Sequence, residues 1–477
     1  MDEVPQQKIA LVLRGTVVTS RSDRTLRVLE DSLIVVDDRG FISQLEAAAS
    51  PASQNLLSRI GQDIPQDRFV ELGADGWILP GFVDTHIHAP QYIQAGLALD
   101  KPLMEWLEHY TFRAESSIDR DPQGLGRKVY ERLAQRMIQN GTTAASVFGT
   151  ISTEANLVLA TAFLEAGLRG QIGKVAMDQN SIPSYIETTA SSLADTESFI
   201  NQVRDLTDAL PEERRIVEPV VTPRFAPTCS IELMRGLAAL ASKTGTRVQS
   251  HMCESHVMVE ACRDMLGGKS DVEVLDEVGL LHDRSLMAHC THVSSADLER
   301  LSRTGTAVSH CPLSNVYFSA ERQLPLREAW QAGIKVGLGS DISGGYRVGL
   351  DENMRWAVGL SRLRQGQGQH LDSQRDSNVA ISWKEALYLA TLGGAEALGL
   401  DHDCKVGTLE IGAAFDAQWI RVGEKGSRVE WFDLPEAESG QMRAVPVEEK
   451  LERWWCNGSE ADRKAVWVQG RQVYKQQ

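Results

Sequence analysis

Residues 79–91, LPGFVDTHIHAPQ, place two histidines one residue apart at the end of an apolar run. Successive side chains of a β-strand point to opposite faces, so His86 and His88 would share one face. Two imidazoles on one face can bind the same metal ion. The alternative is a pair of structural histidines that happen to alternate. Because two ligands do not complete a site, this stretch predicts further ligands elsewhere in the chain.

The other candidate groups also follow short apolar runs. His251 comes after RVQS with Glu254 three residues further on, His289 comes after LMA, and Asp341 comes after KVGLGS. In a barrel of parallel strands, reacting groups collect at the C-terminal strand ends. A structural histidine is commoner than a ligand at any one place, but four runs that end in this way are hard to attribute to packing. We therefore expect these side chains to converge.

Together they could form a nitrogen-rich metal site with three imidazoles and one carboxylate, from His86, His88, His251 and Asp341. Such a set suits Zn²⁺ and tolerates Fe²⁺, whereas Mg²⁺ and Ca²⁺ prefer more oxygen ligands. A bound ion of this kind lowers the pKa of water from about 15.7 towards about 7, which supplies a hydrolytic nucleophile. Asp341 could accept the water proton, His289 could donate to the developing oxyanion, and Glu254 could shuttle a proton.

The segments that must position these groups alternate between β-like and helical runs. TTAASVFGT precedes TEANLVLATAFLEAGL, and VEPVVTPRFAP precedes SIELMRGLAALASKTG. About eight such units predict an α/β fold with a (β/α)8 TIM barrel, which we assign to residues 79–403.

Both ends of the chain differ from this middle part. Short β-like runs with glycine-containing turns fill residues 1–78 and 404–477, and we predict that they pair into one small β-sandwich domain. Residues 50–67 are polar and are interpreted as an exposed loop, and no helix is expected after residue 402.

Composition excludes several classes of protein. A formal charge of −16 argues against a nucleic-acid partner, because phosphate backbones are bound by an excess of Lys and Arg. No window reaches the roughly 18 apolar residues of a membrane span, and the acidic N-terminal stretch lacks the apolar core of a signal peptide. The seven cysteines are scattered without a C-x-x-C pair, which agrees with a reducing compartment. We therefore predict a cytoplasmic protein.

With these residues identified, the chain resembles the amidohydrolase superfamily of metal-dependent barrel hydrolases, in its subtype with one metal and no carbamylated lysine. The motifs that carry this resemblance are PGFVDTHIH, SHMCE, MAHC and GLGSD. Further stretches resemble the guanine-deaminating branch of the superfamily: THIHAPQY, LMEWLEHYTFRAE, GKVAMDQN, VTPRFAPTCS, SHCPLSNVYFS and GLGSDISGGY. Together they span most of residues 80–400.

The resemblance implies zinc-dependent hydrolysis of guanine to xanthine and ammonia in purine catabolism or salvage, with one Zn²⁺ per subunit and a homodimer. It assigns catalysis to Glu254, Asp341 and His289. It implies hydrogen bonds to the purine from Gln91 and Arg224, assisted by the Phe225 backbone. The metal-side residues that would also touch the substrate are His88, His251, Glu254 and Asp341.

Several residues have two interpretations. Arg224 offers a donor fork that suits the carbonyl at C6 of guanine, although it could form an ordinary salt bridge. Trp106 and Phe112 could form a pocket wall by stacking on the base, or could pack in the core. Asp84 is interpreted as a structural anchor. The roles of three further histidines stay open: His256, His292 and His310.

The main alternative function is that of another deaminase or chlorohydrolase of the same superfamily, acting on another purine, a pterin or a triazine. Such enzymes would share the metal ligands but not the purine contacts. A non-catalytic scaffold would be expected to lack one of the ligands, and none is lacking here. The H-x-E and P-C-x-x-C motifs of cytidine-type deaminases are absent.

Overall fold

The computed structural model describes residues 8–476, apart from 370, 372–377, 403, 433, 436–441 and 444. In these residues the strands are β1 (Ile9–Ser20), β2 (Leu26–Asp37), β3 (Ile42–Ala47), β4 (Phe69–Glu71), β5 (Gly76–Pro80), β6 (Phe82–His88), β7 (Thr142–Phe148), β8 (Arg169–Ala176), β9 (Val217–Pro223), β10 (Arg247–Met252), β11 (Ser285–His289), β12 (Ala307–His310), β13 (Val336–Leu338), β14 (Ala417–Arg421), β15 (Leu434–Pro435), β16 (Met442–Arg443), β17 (Arg463–Val468) and β18 (Arg471–Lys475).

The α-helices of the same residues are α1 (Pro51–Ser58), α2 (Leu103–Trp106), α3 (Phe112–Arg120), α4 (Arg127–Gln139), α5 (Thr153–Ala166), α6 (Thr189–Asp208), α7 (Ile231–Thr244), α8 (His256–Met265), α9 (Asp271–Glu277), α10 (Ser295–Thr304), α11 (Pro312–Phe318), α12 (Leu326–Gln331), α13 (Leu350–Gly366), α14 (Trp383–Ala390), α15 (Leu392–Leu398) and α16 (Val447–Asn457). A π-helical turn, Leu107–Thr111, joins α2 to α3. Within the described ranges, no helix has both the length and the apolar character needed to cross a membrane.

Strands β6 to β13 form a parallel barrel in which chain neighbours are sheet neighbours. The first and last strands approach each other through backbone hydrogen bonds, from His88 N to Ile342 O at 3.0 Å and from Asp341 N to His86 O at 2.8 Å. These two bonds place the first strand end beside the turn that follows the last strand. The predicted (β/α)8 barrel is confirmed.

Helix boundaries in the barrel follow local signals. Ser152 caps the start of α5 and Ser230 caps the start of α7, each through a side-chain oxygen that accepts a backbone N–H. Both helices end at a glycine in the left-handed conformation, Gly167 with φ 74° and Gly245 with φ 68°. The chain then turns directly into the next strand, so the C-terminal strand ends remain free to carry functional residues.

The two ends of the chain combine in a second, mixed sheet with the order β18-β17-β14-β5-β1-β2-β3, with β4 paired to β1. Strand β14 joins the C-terminal part to the N-terminal part by pairing antiparallel with β5. The predicted combination of both termini into one β domain is confirmed. Strand β5 spans the predicted boundary between residues 78 and 79, and the division into 1–78, 79–403 and 404–477 stays a prediction.

Two local predictions were wrong. Residues 50–67 contain helix α1, which Ser50 caps and Pro51 begins, a combination typical of helix starts. The C-terminal part contains helix α16, whose buried residues Leu451, Trp454 and Trp455 recur at the spacing of one helix face. Both helices are short and lie between strands, so the surrounding β-like pattern concealed them.

Candidate active site

Four predicted ligands from three parts of the barrel meet at the C-terminal strand ends. One ligand atom from each lies within 4.8 Å of the others: His86, His88, His251 and Asp341. Nε2 of His88 lies 3.0 Å from Nε2 of His251, and Nε2 of His86 lies 3.1 Å from Oδ1 of Asp341. All four side chains are buried. The structure therefore contains a His-His-His-Asp group of the kind that binds a metal ion.

The protonation of these ligands fits a divalent cation. Burial lowers the pKa of His86, His88 and His251 well below the ordinary value of 6.5, so each ring is neutral and offers a lone pair. Nδ1 of His251 donates to the backbone oxygen of Arg224 at 2.6 Å, which leaves its Nε2 as the free lone pair. Nε2 of His86 is buried and makes no hydrogen bond to any described residue. A cation would satisfy this convergence of donor atoms.

The Asp84 side chain connects strand β6, which carries two of the ligands, to the residues that follow strand β13. Its carboxylate accepts hydrogen bonds from Ser340 N at 2.9 Å, from Ser340 Oγ at 2.5 Å and from His86 N at 3.2 Å. Burial raises its pKa to about 7. Because Ser340 directly precedes Asp341, these bonds fix the position of two ligands at once. Asp341 itself adopts the left-handed conformation, with φ 48°, a strained geometry that surrounding contacts must hold in place.

Glu254 lines the cavity next to the ligand group. Burial, followed by the like charge of Asp341, raises the pKa of Glu254 to about 8, so the carboxyl group can carry a proton at neutral pH. A cation held by the neighbouring ligands would draw this pKa back down, because it favours the carboxylate. A carboxyl group between these two influences is suited to both accept and release a proton.

His289 lies between the two carboxylates, with Nε2 at 3.7 Å from Oε1 of Glu254 and 3.8 Å from Oδ2 of Asp341. On the other side of the ring, Nδ1 lies 3.0 Å from Oδ1 of Asn315. The amide oxygen can only accept, so Nδ1 donates this hydrogen bond. The donor role predicted for His289 falls to Nε2, the ring nitrogen that faces both carboxylates. Sequence reasoning did not identify Asn315 as its partner.

The predicted purine-binding residues lie on the wall of the same cavity. Gln91, Arg224 and Phe225 line it together with the ligand residues His88, His251 and Asp341. Arg224 is buried, and Glu115 raises its pKa against the lowering effect of burial, so the guanidinium stays charged. The structure thus brings the metal-ligand group and the predicted purine contacts into one cavity.

The two aromatic residues predicted for the pocket wall, Trp106 and Phe112, occupy different positions. Trp106 lines the cavity, and its ring lies 5.2 Å from that of Phe318, a cavity residue that sequence reasoning missed. Phe112 is not among the residues that line this cavity, which agrees with the packing role among its two interpretations. It lies six residues after Trp106 and packs beneath Arg224, with 5.1 Å from the ring centroid to Cζ. The remaining apolar lining comes from Leu103 and Leu107.

The three histidines whose roles stayed open lie outside the cavity lining. His256 is exposed and pairs with Glu260 at 3.2 Å. His292 contacts Ser319 Oγ at 3.0 Å and Glu321 at 3.2 Å. Burial lowers the pKa of His310 to about 3, which keeps this ring neutral. None of the three is therefore placed to touch a molecule in the cavity.

The Amidohydrolase family model matches residues 77–473 of the chain, which include the barrel and the C-terminal strands of the second sheet. The chain therefore belongs to the amidohydrolase family. Several similar proteins are guanine deaminases, as the motifs predicted. Guanine deaminase of Dictyostelium discoideum is 35% identical over 437 residues, which cover 89% of this chain and 92% of that protein.

Two further comparisons agree. Guanine deaminase of Homo sapiens is 35% identical over 470 residues, which cover 98% of this chain and 97% of that protein. The crystal structure of guanine deaminase from C. acetobutylicum, with guanine bound in its active site, is 30% identical and superposes with a TM-score of 0.83. That match covers 97% of this chain and all of the other, so the similarity extends over both the barrel and the second sheet.

Proposed function

We propose that this protein is a hydrolase acting on C–N bonds that converts guanine to xanthine and ammonia in the cavity described above. One observation carries the proposal: three members of the His-His-His-Asp group line the same cavity as the hydrogen-bond donors of Gln91 and Arg224, namely His88, His251 and Asp341. The first can activate water and the second can bind a purine edge. The similarity to guanine deaminases over nearly the whole chain supports the same reaction.

We assign one Zn²⁺ per subunit to the ligand group His86, His88, His251 and Asp341. When bound, this ion supplies Lewis acidity that makes water a nucleophile near neutral pH. Its ligand set of three imidazoles and one carboxylate is the kind that Zn²⁺ prefers.

The chain's own residues then move protons around C2 of guanine. Asp341 accepts a proton from the water as its oxygen bonds to C2. Glu254 protonates ring N3, takes up the proton of the new C2 hydroxyl and passes it to the 2-amino group, so C2=O forms, the C2–N bond breaks and ammonia leaves. The proton held by Asp341 then returns to Glu254. His289 donates to the oxygen that develops negative charge. Each role uses a side chain that lies at the strand ends beside the ligand group.

Substrate recognition falls to the other residues of the lining. Arg224 and Gln91 donate to acceptors on the purine, and the Phe225 backbone assists them. Trp106 stacks on the base, with apolar neighbours that exclude water. The ligand-side residues that also contact the purine are His88, His251, Glu254 and Asp341.

The direct test is ammonia release by the purified protein with a panel of guanine, adenine, cytosine and ammeline, with xanthine identified by chromatography. We expect xanthine from guanine and little release from the other three. Preference for ammeline would instead indicate a triazine enzyme, and preference for adenine would indicate another purine deaminase. Absence of xanthine with metal-loaded protein would refute the proposed function.

Removal of the metal should abolish turnover. We expect dialysis against a chelator to reduce activity to a few per cent or less, because the active-site water then keeps a pKa of about 15.7. Elemental analysis should find close to one zinc per chain before dialysis, and added Zn²⁺ should restore activity. Full activity in protein shown to be free of metal would contradict the assignment.

We also propose that the protein acts in purine catabolism or salvage as a cytoplasmic homodimer. Light scattering on the purified protein should then give about twice the 52.6 kDa of one chain. A mass equal to one chain would exclude the dimer without affecting the proposed reaction.

A further inference from the structure

Glu115 on helix α3 is completely buried behind the purine-binding wall of the cavity. Its Oε2 accepts from Nη1 of Arg224 at 2.6 Å, and its Oε1 accepts from Nη2 of Arg224 at 3.0 Å. The same Oε1 also accepts from Nε2 of Gln91 at 3.0 Å. Glu115 is not among the residues that line the cavity. It therefore holds both purine-binding side chains from behind.

This contact fixes which end of the Gln91 amide is the donor. Oε1 of Gln91 accepts from Ser343 N at 3.2 Å and from Ser343 Oγ at 3.4 Å, while Nε2 donates to Glu115. A flipped amide would set its oxygen against the carboxylate and its N–H against the backbone N–H. Both contacts would be repulsive, so the flip is excluded. The polar group that Gln91 has left for the cavity is its second Nε2–H.

Arg224 likewise has only hydrogen-bond donors left for the cavity. A guanidinium has five N–H donors and no acceptor, and Glu115 engages two of the five. The ring of Phe112 lies beneath the guanidinium and supports its plane. The remaining N–H groups can only donate. Glu115 is an acceptor for both partners, so it leaves both of them with donors for the substrate.

We infer that Glu115 is a positioning residue that makes this part of the cavity wall a donor-only edge and thereby selects purines with acceptors there. The inference rests on the proposed function and deepens it. Guanine offers O6 and N7, which are both acceptors. A 6-aminopurine replaces O6 by an N–H donor, which would face the donors of Arg224 and Gln91. Sites built to make specific hydrogen bonds reject such analogues strongly, because buried polar groups are left unpaired.

The test compares guanine with 2,6-diaminopurine, which keeps the reacting 2-amino group and differs at position 6. Deamination of the analogue at C2 gives ammonia and isoguanine, which chromatography distinguishes from guanine. We expect the intact protein to prefer guanine. The variant Glu115→Gln keeps the shape but introduces a donor, so we expect the ratio of kcat/KM values to fall by about 10-fold or more. Because Glu115 lies away from the reacting carbon, the loss for guanine should appear more in KM than in kcat.

Glu187→Gln is the matched control. Glu187 forms a similarly buried pair with Lys174, at 2.6 Å, but touches neither the cavity nor the two purine-binding residues. We expect this control to lose stability while its substrate preference stays that of the intact protein. An equal loss of preference in both variants would show that Glu115 is merely structural, which would overturn the inference.

A second variant keeps the inference testable if Glu115→Gln does not fold. Glu115→Asp keeps the negative charge opposite Arg224 but is one methylene shorter, so it cannot reach Arg224 and Gln91 together. We expect it to fold and to lose part of the preference. An unchanged preference in a folded Glu115 variant would overturn the inference. If the intact protein formed no xanthine from guanine, the proposed function itself would fail.

Discussion

Replacing Glu254 by Gln is expected to lower kcat for guanine by about 100-fold or more, because positioned acid–base catalysis contributes about that much. The side chain lies in the cavity wall with Asp341, and burial raises its pKa to about 8. Gln has the same shape but cannot accept and release a proton. Steady-state kinetics with guanine measure the effect.

The bound metal must be checked in the same variant. Glu254 is not one of the four ligands, so elemental analysis should find the same zinc content as in the unchanged protein. Glu260→Gln serves as the control, because Glu260 is exposed and lies outside the cavity. Near-normal turnover in Glu254→Gln would remove the proposed proton shuttle. Loss of zinc would reassign Glu254 to metal binding.

Replacing Arg224 by Ala is expected to have the largest effect on stability. Arg224 and Glu115 form a pair with side chains that are 2% and 0% exposed. Removing one partner of a buried ion pair costs about 3–5 kcal/mol, because the other charge stays buried without compensation. We therefore expect a clear shift of the urea unfolding midpoint. The kcat/KM for guanine should also fall, since the substrate loses its main donor.

Lys243→Ala provides the comparison at the surface. Lys243 pairs with Glu197 at 2.6 Å, but their side chains are 69% and 43% exposed. Such a pair contributes about 0–1 kcal/mol. A loss of similar size in Arg224→Ala would contradict the buried-pair argument. Adding Glu115→Gln to Arg224→Ala should recover part of the stability, because it removes the uncompensated charge.

The sequence by itself determined the barrel and the candidate ligands. Strand and helix runs alternate along the chain, and this local pattern is sufficient to indicate a parallel barrel. Once the barrel is assumed, its geometry brings the C-terminal strand ends together, so four candidate ligands could be grouped without coordinates: His86, His88, His251 and Asp341. The sequence motifs also indicated which branch of the family the chain resembles. That the four grouped residues bind a metal stays a proposal.

Only the tertiary structure decided how the purine-binding side chains are held. Glu115 lies 109 residues before Arg224, and neither position has a spacing that links it to the other. A glutamate within an amphipathic helix is normally interpreted as solvent-exposed. Sequence patterns also did not indicate the contact of Asn315, which follows the neighbouring strand β12, with His289. Nor did they indicate that Phe112 supports Arg224 instead of lining the cavity. The order of the strands predicts that their C-terminal ends meet at one end of the barrel. Contacts between particular side chains depend on tertiary packing, which no local sequence pattern indicates.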